Sequence, residues 1–257
     1  MKLFKQISFT FIIMAILVFI SSCDSTEKTD NKNANDGDSY PRIVNSKEAS
    51  LLARTLYHNT ELGNGAYKIQ NGTLGSGGFL GSGFVDWKSL NVAIRISLVN
   101  EQRIDISSIT TSNEVFESVF NLNSELTKAG YDPFDWVARK FDPNIYGIDS
   151  ISQFILKLGA TSPDNPILIK QNGATILGIE NVNGVKTYKM ANDGSITYYV
   201  DEQGALLRVE ADIKGFKGVT TIDFLSHQKS EVDVPAEKDS ISIEKISQLY
   251  STIRPNF

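Results

Sequence analysis

The stretch N-V-A-I-R-I-S-L-V, residues 91–99, alternates apolar and polar side chains with a period of two. Its apolar side carries Val92, Ile94, Ile96 and Leu98. Arg95 and Ser97 fall on the opposite side. One apolar and one polar face are typical of a strand in an antiparallel sheet that is covered on one side only. The stretch therefore predicts a half-buried strand.

Further strands precede and follow this stretch. Residues 79–87 carry apolar side chains on one face, and Gly81 and Gly83 within them permit the tight coiling of a sharply bent strand. A second set of strands lies nearer the C-terminus, where Asn183-Gly184 is a strong hairpin signal. Its predicted members are residues 175–180, 185–190, 196–200, 205–214 and 219–225. Both sets predict an antiparallel meander.

Four helices are predicted around these strands. They cover residues 46–58, 150–158 and 166–171, and a C-terminal amphipathic segment at about 240–253. Asn45 with Glu48, and Ser150 with Gln153, have the spacing of capping boxes at two of the helix starts. Amphipathic helices need an apolar surface to bury against, and a sheet with one apolar face offers it. The predicted fold class is therefore α+β.

The N-terminal region has the composition of a secretory signal peptide. Basic residues at its start precede an apolar run from Ile7 to Ile20, too short for a membrane-spanning helix, which needs about 20 apolar residues. Cys23 follows two serines, and this order resembles the cleavage site of bacterial lipoproteins. We expect residues 1–22 to be removed and Cys23 to be lipidated, with fatty acids such as palmitate, at the extracytoplasmic face of the cell membrane. An ordinary signal peptide with an accidental cysteine is the alternative.

The remaining chain divides into a tether and one domain. Residues 23–45 are almost entirely polar, so we expect them to form a disordered tether after the lipidated cysteine. Residues 46–257 have the length and the apolar content of a single folded domain. The net charge of −5 argues against a nucleic-acid partner. Because Cys23 is the sole cysteine, we expect no disulfide and no thiolate metal site.

Catalytic motifs are not evident in the sequence. The two histidines, His58 and His227, do not occur in a metal-binding or triad pattern. The glycine run at residues 72–78 precedes a strand rather than a helix, so a turn is favoured over a phosphate cradle. We therefore expect neither an enzyme nor a metal or other cofactor.

Five short sequences between residues 131 and 235 resemble those of a lipoprotein family. They are Y-D-P-F-D-W-V (131–137), P-D-N-P-I-L-I (163–169), I-L-G-I-E-N-V-N-G-V (176–185), I-T-Y-Y-V-D-E-Q-G-A-L-L-R-V-E (196–210) and V-D-V-P (232–235). In their order and spacing the chain resembles the actinobacterial LppX/LprA/LprF/LprG lipoproteins. The resemblance implies a LolA-like fold, a strongly curved antiparallel half-barrel with helices packed on its concave face. It also implies an apolar pocket that takes the acyl chains of a membrane lipid or glycolipid.

The resemblance places the apolar strand faces toward that pocket. Its implied lining residues are Val85, Trp87, Val92, Ile94, Ile96, Leu98, Leu207 and Val209. On this hypothesis the protein binds acyl chains and carries or presents them in the cell envelope. The alternative is a tethered interaction or regulatory module, whose protein partner is unknown, with the same sheet and a filled core. An apolar cavity between sheet and helices favours the first hypothesis.

Overall fold

This computed structural model describes residues 39–72, 78–99, 103–118, 127, 128, 130, 132–192, 194–227 and 232–253. The predicted signal peptide, Cys23 and most of the predicted tether lie outside the described residues. Most of the glycine-rich turn at 72–78 lies outside them as well. Within the described residues, no helix combines the length and the apolar character needed to span a membrane.

Thirteen strands form one sheet in the described part of the chain. In chain order they are β1 (Arg42–Ile43), β2 (Asn64–Asn71), β3 (Phe79–Asp86), β4 (Asn91–Val99), β5 (Arg103–Thr110), β6 (Glu114–Ser118), β7 (Trp136–Lys140), β8 (Thr175–Val182), β9 (Val185–Ala191), β10 (Ile196–Val200), β11 (Leu206–Asp212), β12 (Val219–Ser226) and β13 (Ser240–Ser242). Their spatial order is β1-β8-β9-β10-β11-β12-β2-β3-β4-β5-β6-β7-β13. Two meanders, β2–β7 and β8–β12, therefore join where β12 pairs with β2.

The sheet is curved and, over the described residues, unclosed, with β1 and β13 at its two edges. Its neighbouring strands are antiparallel, apart from the parallel pair of β7 and β13. A few helices complete the fold, so the predicted α+β class and the predicted antiparallel meanders are confirmed. β1 lies inside the segment that the sequence assigned to the tether, and the sheet thus begins before residue 46.

Among the described residues, the α-helices with defined bounds are α1 (Ser46–Leu62), α2 (Gly147–Leu156), α3 (Pro166–Gln171) and α4 (Ile243–Ile253), and Glu237–Asp239 forms a short 3-10 helix. Side chains of α1 and α2 pack against one face of the sheet, which we call the helix-covered face. The opposite face, on which the alternate side chains of β2–β5, β11 and β12 project, is called the open face. The C-terminal segment differs from its prediction, because residues 240–242 form the edge strand β13 and the helix begins only at Ile243.

The capping box that begins α1 is confirmed. The backbone N–H of Glu48 donates to Asn45 Oδ1 (3.0 Å), and the N–H of Asn45 donates to Glu48 Oε2 (2.7 Å). Arg42 on β1 donates to both carboxylate oxygens of Glu48, at 2.8 and 2.7 Å. Burial raises the pKa of the Glu48 carboxyl, but these hydrogen bonds outweigh burial and leave the pKa below its ordinary value. The first helix is thereby attached to the sheet edge.

The capping box predicted at Ser150 and Gln153 is wrong, because α2 begins three residues earlier. The carboxylate of Asp149, in the first turn of α2, accepts two hydrogen bonds from the buried Arg139 on β7, at 2.7 and 2.8 Å. Glu117 on β6 accepts from the same guanidinium. This buried ion cluster, which the sequence pattern does not reveal, fixes where the helix starts.

The other end of α2 is held by side chains from two elements. The indole Nε1 of Trp87, just after β3, donates to the carbonyl oxygen of Ile155 at 3.0 Å. Asn59 of α1, which is fully buried, donates through Nδ2 to the carbonyl oxygen of Leu158 at 2.7 Å. The carbonyl oxygen of Ile155 also accepts from the backbone N–H of Leu158 at 3.1 Å, so Trp87 adds a second hydrogen bond there. Asn59 supplies a donor to the Leu158 carbonyl just beyond the helix end. The position of α2 over the sheet is thus fixed at both ends.

Glycines in β3 let the side chains of its neighbours meet. A Cβ at Gly81 would lie 2.7 Å from the carbonyl oxygen of Arg95, and one at Gly83 would overlap the Tyr67 side chain and the Ala93 carbonyl. Tyr67 on β2 crosses β3 at Gly83 and donates its hydroxyl to the carbonyl oxygen of Ala93 on β4, at 3.0 Å. Gly81 and Gly83 therefore permit a close approach of neighbouring groups that a larger residue would block.

Candidate functional site

Most of the residues proposed to line a pocket lie on the helix-covered face. Six of them are at most 3% exposed: Val85, Trp87, Val92, Ile94, Ile96 and Val209. Leu98 lies on β4, but its side chain is outside the described part of the structure. Leu207 is half-buried, and its neighbour Leu206 is the fully buried member of the core. The pairing register shifts at Val200, which lies opposite Leu206, so the strict alternation assumed from the sequence does not hold there.

Helix side chains cover these residues. Ile151, Ile155 and Leu158 from the α2 region belong to the same hydrophobic cluster, each at most 2% exposed. Every buried member of that cluster is at most 4% exposed. A cavity that admits an acyl chain would leave accessible surface on its lining side chains. An acyl chain at these residues therefore requires α2 to move, and the pocket on this face stays a prediction.

The open face carries an apolar row that crosses six strands. Its members lie directly opposite one another on adjacent strands from β2 to β7: Ala66, Phe84, Ala93, Ile109, Phe116 and Ala138. Phe84 is 44% exposed, whereas Phe116 at the far end is 6% exposed. An aligned row of apolar side chains on a face without α1 or α2 is a surface suited to an elongated apolar ligand.

A second row, which we call the basic row, runs beside the apolar row. Lys68, Ser82 and Arg95 lie opposite one another on β2, β3 and β4, each two residues from the corresponding member of the apolar row. On the other side of Lys68, the row continues through Asp223 on β12 and Arg208 on β11. Arg208 donates to both carboxylate oxygens of Asp223, at 2.5 and 3.1 Å. Lys68 and Arg95 thus stand beside an ion pair that is already formed.

The basic row lines a groove of about 880 Å³ on the open face, and the apolar row lies two residues away along β2, β3 and β4. Its lining residues are Lys68, Ile69, Gln70, Gly72, Leu80, Gly81, Ser82, Arg95, Ser97, Arg208, Val219, Thr221 and Asp223. Three of these side chains are cationic and one is anionic, in a chain whose net charge is −5. Leu80 and Val219 add exposed aliphatic surface, at 39% and 54% exposed. We call this feature the open-face groove.

A second cleft, of about 640 Å³, lies where the C-terminal segment meets β6 and β7. Phe116, the last large member of the apolar row, lines it together with Phe134. Val234 and Pro235, from the segment before β13, also line it. The apolar row therefore connects the strands of the open-face groove with this second cleft, which also has Glu114, Glu237 and Lys245 in its lining.

Titratable groups elsewhere serve the fold. Tyr199 on β10 is buried between Lys189 (Nζ 5.2 Å from the ring centre) and Arg208 (Cζ 5.6 Å). His227 Nδ1 lies 3.2 Å from the carbonyl oxygen of Asn64, and burial lowers the pKa of His227. Among the residues that the structure covers, no group of three His, Cys, Asp or Glu side chains is arranged to hold a metal ion.

Comparisons with known proteins return no matching family model and no matching curated protein. One similar solved structure is an uncharacterized conserved protein from Thermus thermophilus, at 11% identity and a TM-score of 0.35, covering 75% of this chain and 96% of that chain. Another is the MucA/MucB complex of Pseudomonas aeruginosa, at 15% identity and a TM-score of 0.29, covering 75% of this chain and 59% of that chain. Neither likeness defines the fold or the function of this chain.

The open face is not among the sites that the sequence pattern predicts. The alternating pattern of β3 and β4 does place Phe84 and Arg95 on the face opposite the buried residues of these strands. An alternating strand, however, is equally consistent with a hydrated polar face. Only the pairing register shows that the exposed apolar side chains align from strand to strand.

Proposed function

We propose that this chain is a membrane-anchored extracytoplasmic lipoprotein that binds the acyl chains of a lipid or glycolipid and carries or presents them in the cell envelope. It acts as a binding protein rather than an enzyme and needs neither cofactor nor nucleic acid. In this proposal the curved sheet is a LolA-like half-barrel with helices on its concave face, as the family resemblance implies. Cys23 supplies the membrane anchor.

The observation that carries the proposal is the apolar row on the open face. From Ala66 on β2 to Phe116 on β6 it crosses four spacings between strands, a distance of about 19 Å. This is close to the length of an extended palmitoyl chain. In this row Phe84 is exposed, Ala66, Ala93 and Ile109 are partly exposed, and Phe116 at the far end is buried. Accessible apolar surface aligned across several strands is a recurrent mark of ligand or partner binding.

The test is to purify the full-length protein from its own envelope and to identify co-purified lipid by mass spectrometry. We expect an acyl lipid in the wild type and its loss in Phe84→Asp. Val185→Asp is the control, because Val185 is similarly exposed (41%, against 44% for Phe84) and lies in the distant β8–β9 hairpin. A wild-type protein that carries no lipid and acquires none from vesicles would overturn the proposal.

The packing of the helix-covered face supports a second candidate. Its buried cluster members are at most 4% exposed, as expected of a filled core. On this interpretation the protein is a tethered interaction or regulatory module without a lipid ligand. Absence of lipid from the wild type, together with a stable complex with an envelope protein, would favour this candidate.

A further inference from the structure

We propose that the open-face groove binds the anionic headgroup of a single acyl lipid, with Lys68 and Arg95 as its cationic contacts and the apolar row as the site of its chain. The inference rests on the proposed function and names the class of lipid. It also assigns the ligand to the open face rather than to the space beneath α2.

The apolar row alone supplies too little binding energy for a useful affinity. A palmitoyl chain lying on a sheet face buries only about half of its surface, so it gains only about half of the stabilisation of a fully enclosed chain. Much of that gain is offset by the translational and rotational freedom lost on association. Additional contacts are therefore required, and a headgroup is the part of the lipid that can make them.

The charges beside the apolar row favour a negative headgroup. Lys68 and Arg95 flank Ser82 on the neighbouring strands, so their backbones lie about 10 Å apart. Both side chains are long enough to reach one group above Ser82. The nearest carboxylate on the β12 side, Asp223, already accepts from Arg208. On the β5 side, Asp105 approaches Arg95 only to 3.9 Å, at a position where the Arg95 side chain is 66% exposed.

The spacing between the basic row and the apolar row matches the spacing between the headgroup of a lipid and the start of its acyl chain. Ser82 in the basic row and Phe84 in the apolar row are two residues apart on β3, or about 7 Å. A headgroup above Ser82 thus places the start of its chain beside Phe84, from which the row leads toward Phe116. Gln70 lies two residues beyond Lys68 on β2, away from the apolar row, and Thr221 lies opposite it on β12. The Gln70 amide and the Thr221 hydroxyl also line the groove and offer further polar contacts.

An acidic peptide fits the groove less well. Peptides that bind sheets gain much of their affinity from main-chain hydrogen bonds at an exposed edge. The groove lies on the face of five central strands, β11, β12, β2, β3 and β4, whose backbones are paired with one another. A lipid needs no backbone partner, because its contacts are charge pairing and apolar burial.

The experiment measures binding of two lysophospholipids with the same palmitoyl chain, one with a phosphoglycerol and one with a phosphocholine headgroup, below their micellar concentrations. The full-length protein is used in wild-type form and as the Lys68→Gln/Arg95→Gln double variant. Lys170→Gln/Lys186→Gln is the control, because it removes two exposed cations outside the groove. Two charge-assisted contacts predict that the wild type prefers the anionic lipid by about tenfold or more.

The double variant is expected to lose this preference, because its affinity for the anionic lipid falls to the low level of the zwitterionic lipid. The control variant keeps the wild-type affinities for both lipids. Equal binding of the two lipids by the wild type, with loss of both in Phe84→Asp, would overturn the headgroup assignment and leave the proposed function intact. Binding of neither lipid would overturn both. Binding of polyglutamate in preference to either lipid would replace the lipid by an acidic peptide and overturn the inference.

Discussion

At the scale of single residues, Gly83 shows how this sheet achieves its tight packing. Tyr67 reaches across it to the carbonyl oxygen of Ala93, a contact that spans three strands. Tyr67 is 1% exposed, and burial raises the pKa of its hydroxyl far above the usual range. The hydroxyl is therefore a structural donor, and the glycine is required by the side chain that lies over it.

Gly83→Ala should destabilise the protein by about 3 kcal/mol, because the added methyl overlaps a backbone carbonyl as well as a side chain. Urea unfolding measures the effect. Gly178→Ala in β8 is the control, since no atom lies within 4 Å of the added methyl there. If the two variants lost equal stability, the close approach at Gly83 would not be the cause.

The Glu48 carboxyl makes the free energy of unfolding depend on pH. Its pKa in the folded state lies below the ordinary value of 4.5, because hydrogen bonds from Arg42 and Asn45 outweigh burial. A carboxyl with a lowered folded pKa adds stability above its unfolded pKa and loses it as the pH falls through the folded value. We expect Glu48→Gln to be less stable than wild type at pH 7 and the difference to shrink below about pH 4.5. Unfolding free energies measured between pH 7 and pH 3 test this, and a difference that grows with acidity contradicts it.

At the scale of elements, the sequence predicted most of the strands and helices. It did not predict their exact limits where contacts with distant residues set those limits. Period-two alternation and the Asn183-Gly184 turn gave the hairpin of β8 and β9. The start of α2 could not be read from local sequence, because it depends on Arg139, a strand residue ten positions upstream of Asp149. Likewise, because the pairing is irregular at Val200, Leu206 rather than the predicted Leu207 is the fully buried residue of the core.

Ile96→Trp distinguishes the two faces as the place of the acyl chain. Ile96 lies on the helix-covered face and is 3% exposed. The larger side chain should therefore lower the free energy of unfolding by about 1–3 kcal/mol through overpacking and leave bound lipid unchanged. Thermal unfolding and lipid content are measured on the same sample. Leu80→Trp, on the adjacent strand and 39% exposed, is the stability control. Unchanged stability with lost lipid would instead place the chain beneath α2, as the family resemblance implies.

At the scale of the whole molecule, the sequence supplied the α+β class and the two meanders, because each strand carries its own apolar pattern. The way the two meanders join could not be predicted, because no local sequence pattern indicates that β12 pairs with β2. The placement of the proposed ligand site likewise depends on alignment across several strands, which no single segment encodes. The assignment of Cys23 rests on the sequence alone.

Cys23→Ala tests that assignment. We expect the variant to move from the membrane fraction to the soluble exported fraction, or to remain unprocessed, because acyl chains on the cysteine are the proposed anchor. Fractionation with immunoblotting measures the distribution, and Ser22→Ala is the control that keeps the thiol. Normal processing and membrane association of Cys23→Ala would contradict lipidation at this residue.

The junction of the two meanders also affects how the chain folds. Ile222 on β12 lies opposite Ile69 on β2, so the centre of the sheet joins segments far apart in the sequence. Such non-local contacts close large loops before they gain stability, and they slow folding. Until β12 has left the ribosome, the first meander exposes the unpaired edge of β2. β2, at the middle of the finished sheet, therefore gains its second neighbour only after most of the chain has been made.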